Sequence, residues 1–247
     1  MAEIVYPPVI RAALTAFKLL GLKINIVGAE NIPDEGGAVL ASTHVSYIDF
    51  IFVGLGAHPK RRLVRFMAKK QVFDHGIGGP LMRGMHHIPV DRKAGAAAYD
   101  EALRALKEGE LIGVFPEATI NRAFDVKELK TGAARMALET GVPLIPIAVW
   151  GTQRIWTKGR PRNFRRRGIP ITITVGEPIP VQPGDDLLLV TERLRERLRE
   201  LLTKSQDEYP DRPEGEHDNW WLPHRLGGGA PTVEESRAMD ARDYENR

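Results

Sequence analysis

No cysteine occurs in this chain of 247 residues. Disulfides, thiolate catalysis and cysteine-ligated metals are excluded, and the composition fits a reducing compartment. No apolar run approaches the ~18 residues that a membrane-spanning helix needs. The first residues lack the charged-then-apolar layout and the small-residue cleavage site of a signal peptide, so the protein is expected on the cytosolic side. No G-x-S-x-G marks a serine nucleophile, and no internal repeat is found. What is present is globular, with 43% hydrophobic and 27% charged residues, enough for one sizeable α/β domain with a small appendage.

The net charge of +3 conceals an asymmetry. From Thr203 onward 6 bases face 11 acids, so the tail carries −5 and the body before it +8. A basic body suits an anionic substrate, an anionic membrane or a nucleic acid. The stretch from Lys158 to Arg167 concentrates that charge in six bases, with Trp156 just before them and Phe164 among them, on a loop before a strand. It reads as a solvated loop or as a membrane-facing patch. No RNA-binding motif accompanies it, so nucleic acid is not expected as a partner.

Pro8 to Leu22 is mostly apolar, with Arg11, Thr15 and Lys18 at helical spacing on one narrow side. This predicts an amphipathic helix that either packs on the core or lies in a bilayer interface. Strand-like runs then alternate with helical ones. The strands are Lys23–Val27, Ala38–Ser42, Leu63–Ala68, His87–Val90, Leu111–Phe115, Leu144–Trp150 and Ile169–Val175. The helices are Ile48–Gly56, Gly76–Gly84, Ala94–Glu108, Lys130–Thr140 and Asp185–Thr203. Such alternation predicts an α/β fold, a largely parallel sheet covered by helices. The expected division is an N-terminal amphipathic helix over 1–22, the α/β domain over 23–203, and a flexible, extended or partly disordered acidic tail over 204–247. Within that tail, Trp220-Trp221-Leu222 is a docking point.

The most informative residues are His44-Val45-Ser46-Tyr47-Ile48-Asp49, directly after the apolar run Gly37–Ser42. Thr43 or Ser46 is expected to cap the following helix. A histidine at a strand-to-helix junction sits at a sheet edge, where open α/β folds place ligands. From the first helical turn Asp49 can reach one ring nitrogen, leaving the other to take a proton from a hydroxyl. By itself the pair also fits a capped helix with a hydrogen-bonded histidine.

Three further blocks follow in order: Phe66-Met67-Ala68-Lys69-Lys70 running on to Ile88-Pro89-Val90-Asp91-Arg92, then Phe115-Pro116-Glu117-Ala118-Thr119, then Val142-Pro143-Leu144-Ile145-Pro146-Ile147. From about Ile24 to Pro180 the chain resembles the glycerolipid acyltransferases, whose bacterial type member acylates 1-acylglycerol-3-phosphate (lysophosphatidic acid). The resemblance implies that His44 is the general base toward a glycerol hydroxyl and Asp49 its orienting carboxylate. It implies that Arg92 holds the acceptor's phosphate, that Glu117 and its surrounding backbone line the acceptor site, and that the prolines of the last block shape a buried strand. It further implies a lysophospholipid acceptor, acyl-CoA or acyl carrier protein as acyl donor, no cofactor and no metal, and a peripheral position on the cytoplasmic face of the membrane.

One departure stands out. The family's third block usually continues through glycine, threonine and arginine, whereas this chain has Ala118-Thr119-Ile120-Asn121-Arg122. Ile120 cannot bind phosphate, so Arg122, Lys130 or Lys69 is expected to supply the charge, or the acceptor differs. The other acceptors are another lysophospholipid, glycerol-3-phosphate or a glycolipid hydroxyl. Two further classes compete: a metal hydrolase built from His44, Asp49, His58, His75, His86 and His87, and a non-catalytic membrane-binding protein.

Overall fold

A computed structural model describes residues 3–91 and 95–245. It opens with helix α1 (Tyr6–Leu19) and strand β1 (Lys23–Val27). Then come β2 (Ala38–Ser42), α2 (Asp49–Ala57), β3 (Val64–Lys69), the short helices α3 (Lys70–Phe73) and α4 (Gly78–Gly84), and β4 (Ile88–Val90). Helix α5 (Gly95–Lys107) leads to β5 (Leu111–Val114), and α6 (Gly132–Thr140) to β6 (Leu144–Trp150). Strand β7 (Pro170–Val175), helix α7 (Leu187–Asp207) and helix α8 (Val233–Glu245) complete the order. Among the described residues the seven strands form one sheet in the order β1-β7-β6-β2-β5-β3-β4. All pairings are parallel except β6 with β7.

The sheet is buried on both faces, which the continuous apolar runs of β2 and β6 require. Alternation within each strand assigns the residues to layers. Val39 and Ala41 of β2, with Leu144, Ala148 and Trp150 of β6, pack against α5, α6 and α7. Ala38 and Leu40, with Ile145, Ile147 and Val149, pack against α2 and α1.

Helix α1 spans Tyr6–Leu19 and packs on the body. The Tyr6 hydroxyl donates to the Val64 carbonyl at 2.8 Å, and Phe17 stacks on Phe52 with centroids 4.8 Å apart. Its other side leaves Ile4, Leu14 and Leu19 in solvent. The helix therefore covers the core with one face, and its solvent side mixes Leu14 and Leu19 with Arg11, Thr15 and Lys18.

The expectation of an extended or disordered tail is corrected. Beyond α7 the chain forms two 3-10 turns (Glu216–Trp221 and His224–Leu226) and the 13-residue α8. The reason is burial: Trp221 is fully buried, and the Arg154 guanidinium lies 4.3 Å from its ring centroid. Arg154 Nη1 also donates to Asp211 at 2.5 Å. The basic loop meets this tail as well. Arg166 pairs with Asp218 at 2.7 Å, and Arg160 lies over Trp220 at 5.0 Å. The charge asymmetry along the sequence is thus partly a contact in space.

Candidate active site

Three adjacent parallel strands deliver the site from their carboxyl ends, where open α/β sheets bind ligands. β2 leads into His44, β5 into Phe115 and Glu117, and β6 into Thr152, Trp156 and Thr157.

Asp49 opens α2 and is fully buried. Its Oδ2 accepts the N–H groups of Val45 and Ser46, both at 2.7 Å, and faces His44 Nδ1 at 3.1 Å. Its Oδ1 accepts the Thr152 hydroxyl at 2.6 Å. Four donors around one carboxylate offset the cost of burying it. Because Asp49 is the acceptor, Nδ1 carries the proton of neutral His44 and Nε2 keeps its lone pair. The His44 ring stacks on Phe115 at 4.2 Å, and its side chain is 19% exposed. The arrangement can take a proton from a hydroxyl at Nε2 and stabilise the imidazolium that results.

Thr43 does not cap the helix: its hydroxyl accepts the Val149 N–H of β6 at 3.3 Å. The Ser46 hydroxyl donates to the Trp156 carbonyl at 2.5 Å and accepts the Ile48 N–H at 3.3 Å in the turn that opens α2. Asp49 itself accepts the N–H groups of the turn before its helix.

The backbone of His44 is clamped on both sides. Glu117 Oε1 accepts its N–H at 3.1 Å, and the Asn121 N–H donates to its carbonyl at 2.7 Å. Glu117 Oε2 accepts from Asn121 Nδ2 at 2.8 Å and from the Lys127 N–H at 3.2 Å. Burial lifts the Glu117 carboxyl to about 7, against the pull of the His44 and Lys127 N–H groups. With both oxygens engaged and buried, the Glu117 carboxylate holds the His44 segment in place. Pro116 and Glu117 form the turn that makes this possible, closed by the Ala118 N–H donating to the Phe115 carbonyl at 2.9 Å. Ala118 follows at φ 58°, the left-handed region that favours glycine.

The family model described as Acyltransferase matches residues 23–150, from β1 to the end of β6. The chain belongs to the acyltransferase family. It is 30% identical over 191 residues to the 1-acyl-sn-glycerol-3-phosphate acyltransferase of Bacillus subtilis, covering 73% of this chain and 89% of that one. The enzyme of the same name from Borreliella burgdorferi is 30% identical over 188 residues, covering 74% and 70%. The crystal structure of the 1-acyl-sn-glycerophosphate (LPA) acyltransferase of Thermotoga maritima shares the fold at a TM-score of 0.68, with 24% identity over 83% of this chain and 81% of that one.

The remaining sequence-predicted residues of this acyltransferase distribute as follows. Arg92 lies outside the described residues. Lys69 ends β3 at the same edge of the sheet as His44 and is exposed. Lys130 is exposed, and its N–H donates to the Pro116 carbonyl of the clamping turn at 2.9 Å. Ile120 is buried. Arg122 is close to the His44 frame, but its guanidinium is engaged by Asp240 and Asp243 of α8. Thr152 and Asn121 were not singled out from the sequence. Thr152 lies 103 positions from Asp49 and carries no local signal.

The histidines do not gather. His58 and His86 are exposed, His75 accepts the Gly78 N–H at 3.2 Å, and buried His87 accepts the Phe66 N–H at 3.1 Å. Burial, and then the nearby Arg65 charge, push His87 down to about 4, so it stays neutral. Among the described residues no group of three or more His, Asp or Glu could hold a metal ion.

Proposed function

We propose that this acyltransferase moves a fatty acyl group from acyl-CoA, or from acyl carrier protein, to the free hydroxyl of lysophosphatidic acid, giving phosphatidic acid for phospholipid synthesis. The observation that carries the reading is the His44–Asp49 pair at the carboxyl end of the central strand, with Nδ1 bound and Nε2 unengaged among the described residues. The names of the Bacillus and Borreliella relatives support the acceptor. In this mechanism Nε2 removes the hydroxyl proton as the oxygen attacks the thioester carbonyl. The imidazolium, stabilised by Asp49, returns that proton to the departing thiolate as the tetrahedral intermediate collapses. No acyl-enzyme is required. Arg92, with Lys69 or Lys130, serves the acceptor's phosphate, a task suited to guanidinium and ammonium donors.

The lipid acceptor requires a membrane surface. Among the described residues no helix is long and apolar enough to cross a bilayer. The position proposed is peripheral, on the cytoplasmic face, and the apolar side chains that the fold leaves in solvent support contact with a membrane surface. These are Ile4, Leu14 and Leu19 around α1 and Val72, Ile77 and Leu81 around α3 and α4, with Ile77 76% exposed. The N-terminal end of α1 adjoins the second group, since Val5 lies against Gly84 and Tyr6 shares a cluster with Phe73 and Met82.

The test is a panel of acceptors offered with one labelled acyl-CoA or acyl carrier protein to the purified chain. Lysophosphatidic acid is expected to be preferred, and His44→Ala to lose about 10³-fold or more of the rate. Preference for glycerol-3-phosphate or a glycolipid would refute the acceptor, and an active His44→Ala the mechanism.

A further inference from the structure

Three cations beside the site converge on the C-terminal helix. Arg122 donates to Asp240 at 3.0 Å and to Asp243 at 2.6 Å. Lys158 Nζ reaches the same two carboxylates at 2.7 and 2.9 Å, and Lys127 Nζ also pairs with Asp240. Each cation belongs to the frame that holds the His44 segment. Arg122 follows Asn121, whose N–H donates to the His44 carbonyl. The Lys127 N–H donates to Glu117, which in turn accepts the His44 N–H. Lys158 follows Thr157, whose hydroxyl donates to the Val45 carbonyl at 2.6 Å.

Apart from an exposed ion pair of Arg237 with Glu128 at 2.9 Å, little else holds α8 down. Ser236 is its one buried residue, while Met239 and Tyr244 are exposed. Its helicity is set locally by a capping box: the Glu235 N–H donates to the Thr232 hydroxyl at 3.2 Å, and the Thr232 N–H donates to the Glu235 carboxylate at 2.8 Å. A helix docked by ion pairs rather than apolar area is sensitive to salt and to competing anions. Alongside lies a cleft of about 380 Å³, lined by Arg122, Lys158, Arg160, Trp220 and Asp243 among others. Hydrogen bonds from Lys158 and Arg122 pull Asp243 down to about 2. At Asp240 burial works the other way, but the bonds from Lys127 and Lys158 outweigh it and lower that group too. Two ionised carboxylates bridged by three cations present the acceptor array that such cations would otherwise take from a phosphate group.

We propose that Arg122, Lys127 and Lys158 form a binding site for a terminal phosphate group (inorganic phosphate or a phosphomonoester headgroup, not a phosphodiester), that Asp240 and Asp243 of α8 occupy it as a built-in competitor, and that a ligand bearing such a group releases the helix. This goes beyond the acyl-transfer reading and does not depend on which hydroxyl is acylated. The phosphate can come from free solution or from a lipid headgroup.

Amide hydrogen exchange across residues 233–245 of the full chain distinguishes these sources. Three additions are compared: inorganic phosphate, phosphatidylcholine vesicles, and the same vesicles containing phosphatidic acid. Exchange is expected to rise by up to about ten-fold with phosphatidic acid, and not with phosphatidylcholine alone. An equal rise with inorganic phosphate makes the phosphate group sufficient; a rise with phosphatidic acid only makes the lipid headgroup the source. In Asp240→Asn/Asp243→Asn, α8 should exchange rapidly without any addition. Whichever ligand opens the wild type should bind this variant about ten-fold more tightly, as expected where a competitor fills a site nine-tenths of the time. Unchanged amides in β2 and β6 verify that the variant is folded. The proposal is overturned if neither phosphate nor phosphatidic acid moves α8, if phosphatidylcholine opens it equally, or if the folded variant binds no more tightly. A failed acyl-transfer assay would leave these readouts unaffected.

Discussion

Replacing Asp49 by Asn keeps the shape of the side chain and removes its charge, and the surrounding donors dictate how the amide must sit. Val45 and Ser46 present N–H groups 2.7 Å from Oδ2, and His44 Nδ1 lies 3.1 Å from the same atom. All three are donors, so the amide oxygen takes the Oδ2 position and the NH2 takes the Oδ1 position. There it meets the Thr152 hydroxyl, which can reverse and accept. His44 therefore keeps its partner and its tautomer, and only the stabilisation of the imidazolium is lost. A carboxylate ~4 Å from a cation is worth about 4 kcal/mol at an effective dielectric constant of 20. The hydrogen bond that remains to a neutral amide retains about 1 kcal/mol of that. The net loss of about 3 kcal/mol predicts a fall in kcat of about 10²-fold at nearly constant KM. The assay is steady-state acyl transfer to lysophosphatidic acid, with thermal melting as a control. Retention of more than half the wild-type kcat, or a loss as deep as that of His44→Ala with the fold intact, would refute the reasoning. Asp49→Ala is a different perturbation. It leaves two buried N–H groups without an acceptor, at about 1–3 kcal/mol each, and should be read as a folding defect.

Three other outcomes are expected. Ala118→Gly relieves a left-handed residue, a gain of about 1 kcal/mol after the entropy of the unfolded glycine is set against it, and should raise Tm by about 2–4 °C; an unchanged or lower Tm would contradict the strain. Burial raises Glu117 from 4.5 to about 7, so its contribution to stability is fully present below about 4.5 and is lost as pH rises to about 7, by roughly 3 kcal/mol; urea titrations should show this slope in the wild type and not in Glu117→Gln. Leu14→Asp/Leu19→Asp spares the packed Tyr6 and Phe17 and should weaken sedimentation with anionic liposomes several-fold without lowering Tm, whereas full sedimentation would remove α1 from the membrane-facing surface.

Much of the sheet was legible because its strands are short apolar runs bounded by turns, and all seven fall within a residue or so of their expected limits. The His44–Asp49 contact was legible because five positions across a strand-to-helix turn is a local distance. Thr152 was not, since it reaches Asp49 only after β6 lies beside β2, and no local pattern reports that pairing. Glu117 was found, but its hydrogen bond to the His44 N–H was not; whether a carboxylate faces solvent or a buried N–H depends on burial, which one position does not reveal. The tail was misread because its acids and prolines resemble a disordered segment. Two local signals were nevertheless present, the Thr232–Glu235 capping box and the Asp240/Asp243 pair at helical spacing. What makes the segment fold back is the complementary charge at Arg122, Lys127 and Lys158, far away in sequence.

The sheet order also bears on how the chain can be cut, synthesised or recombined. β1 has a single neighbour, β7, whose first residue lies 147 positions after Lys23. β2, which leads to His44, rests between β5 and β6. The first strand of the sheet is thus secured by the last, and the central strand by one that arrives about a hundred residues later. A nascent chain that has not yet reached Val175 holds β1 as an unpaired edge, and one that has not reached Thr152 also leaves Asp49 without its threonine, with long loops still to close. Fragments ending before β7 should therefore aggregate rather than form a smaller working unit, and the body of the protein should melt in a single cooperative step.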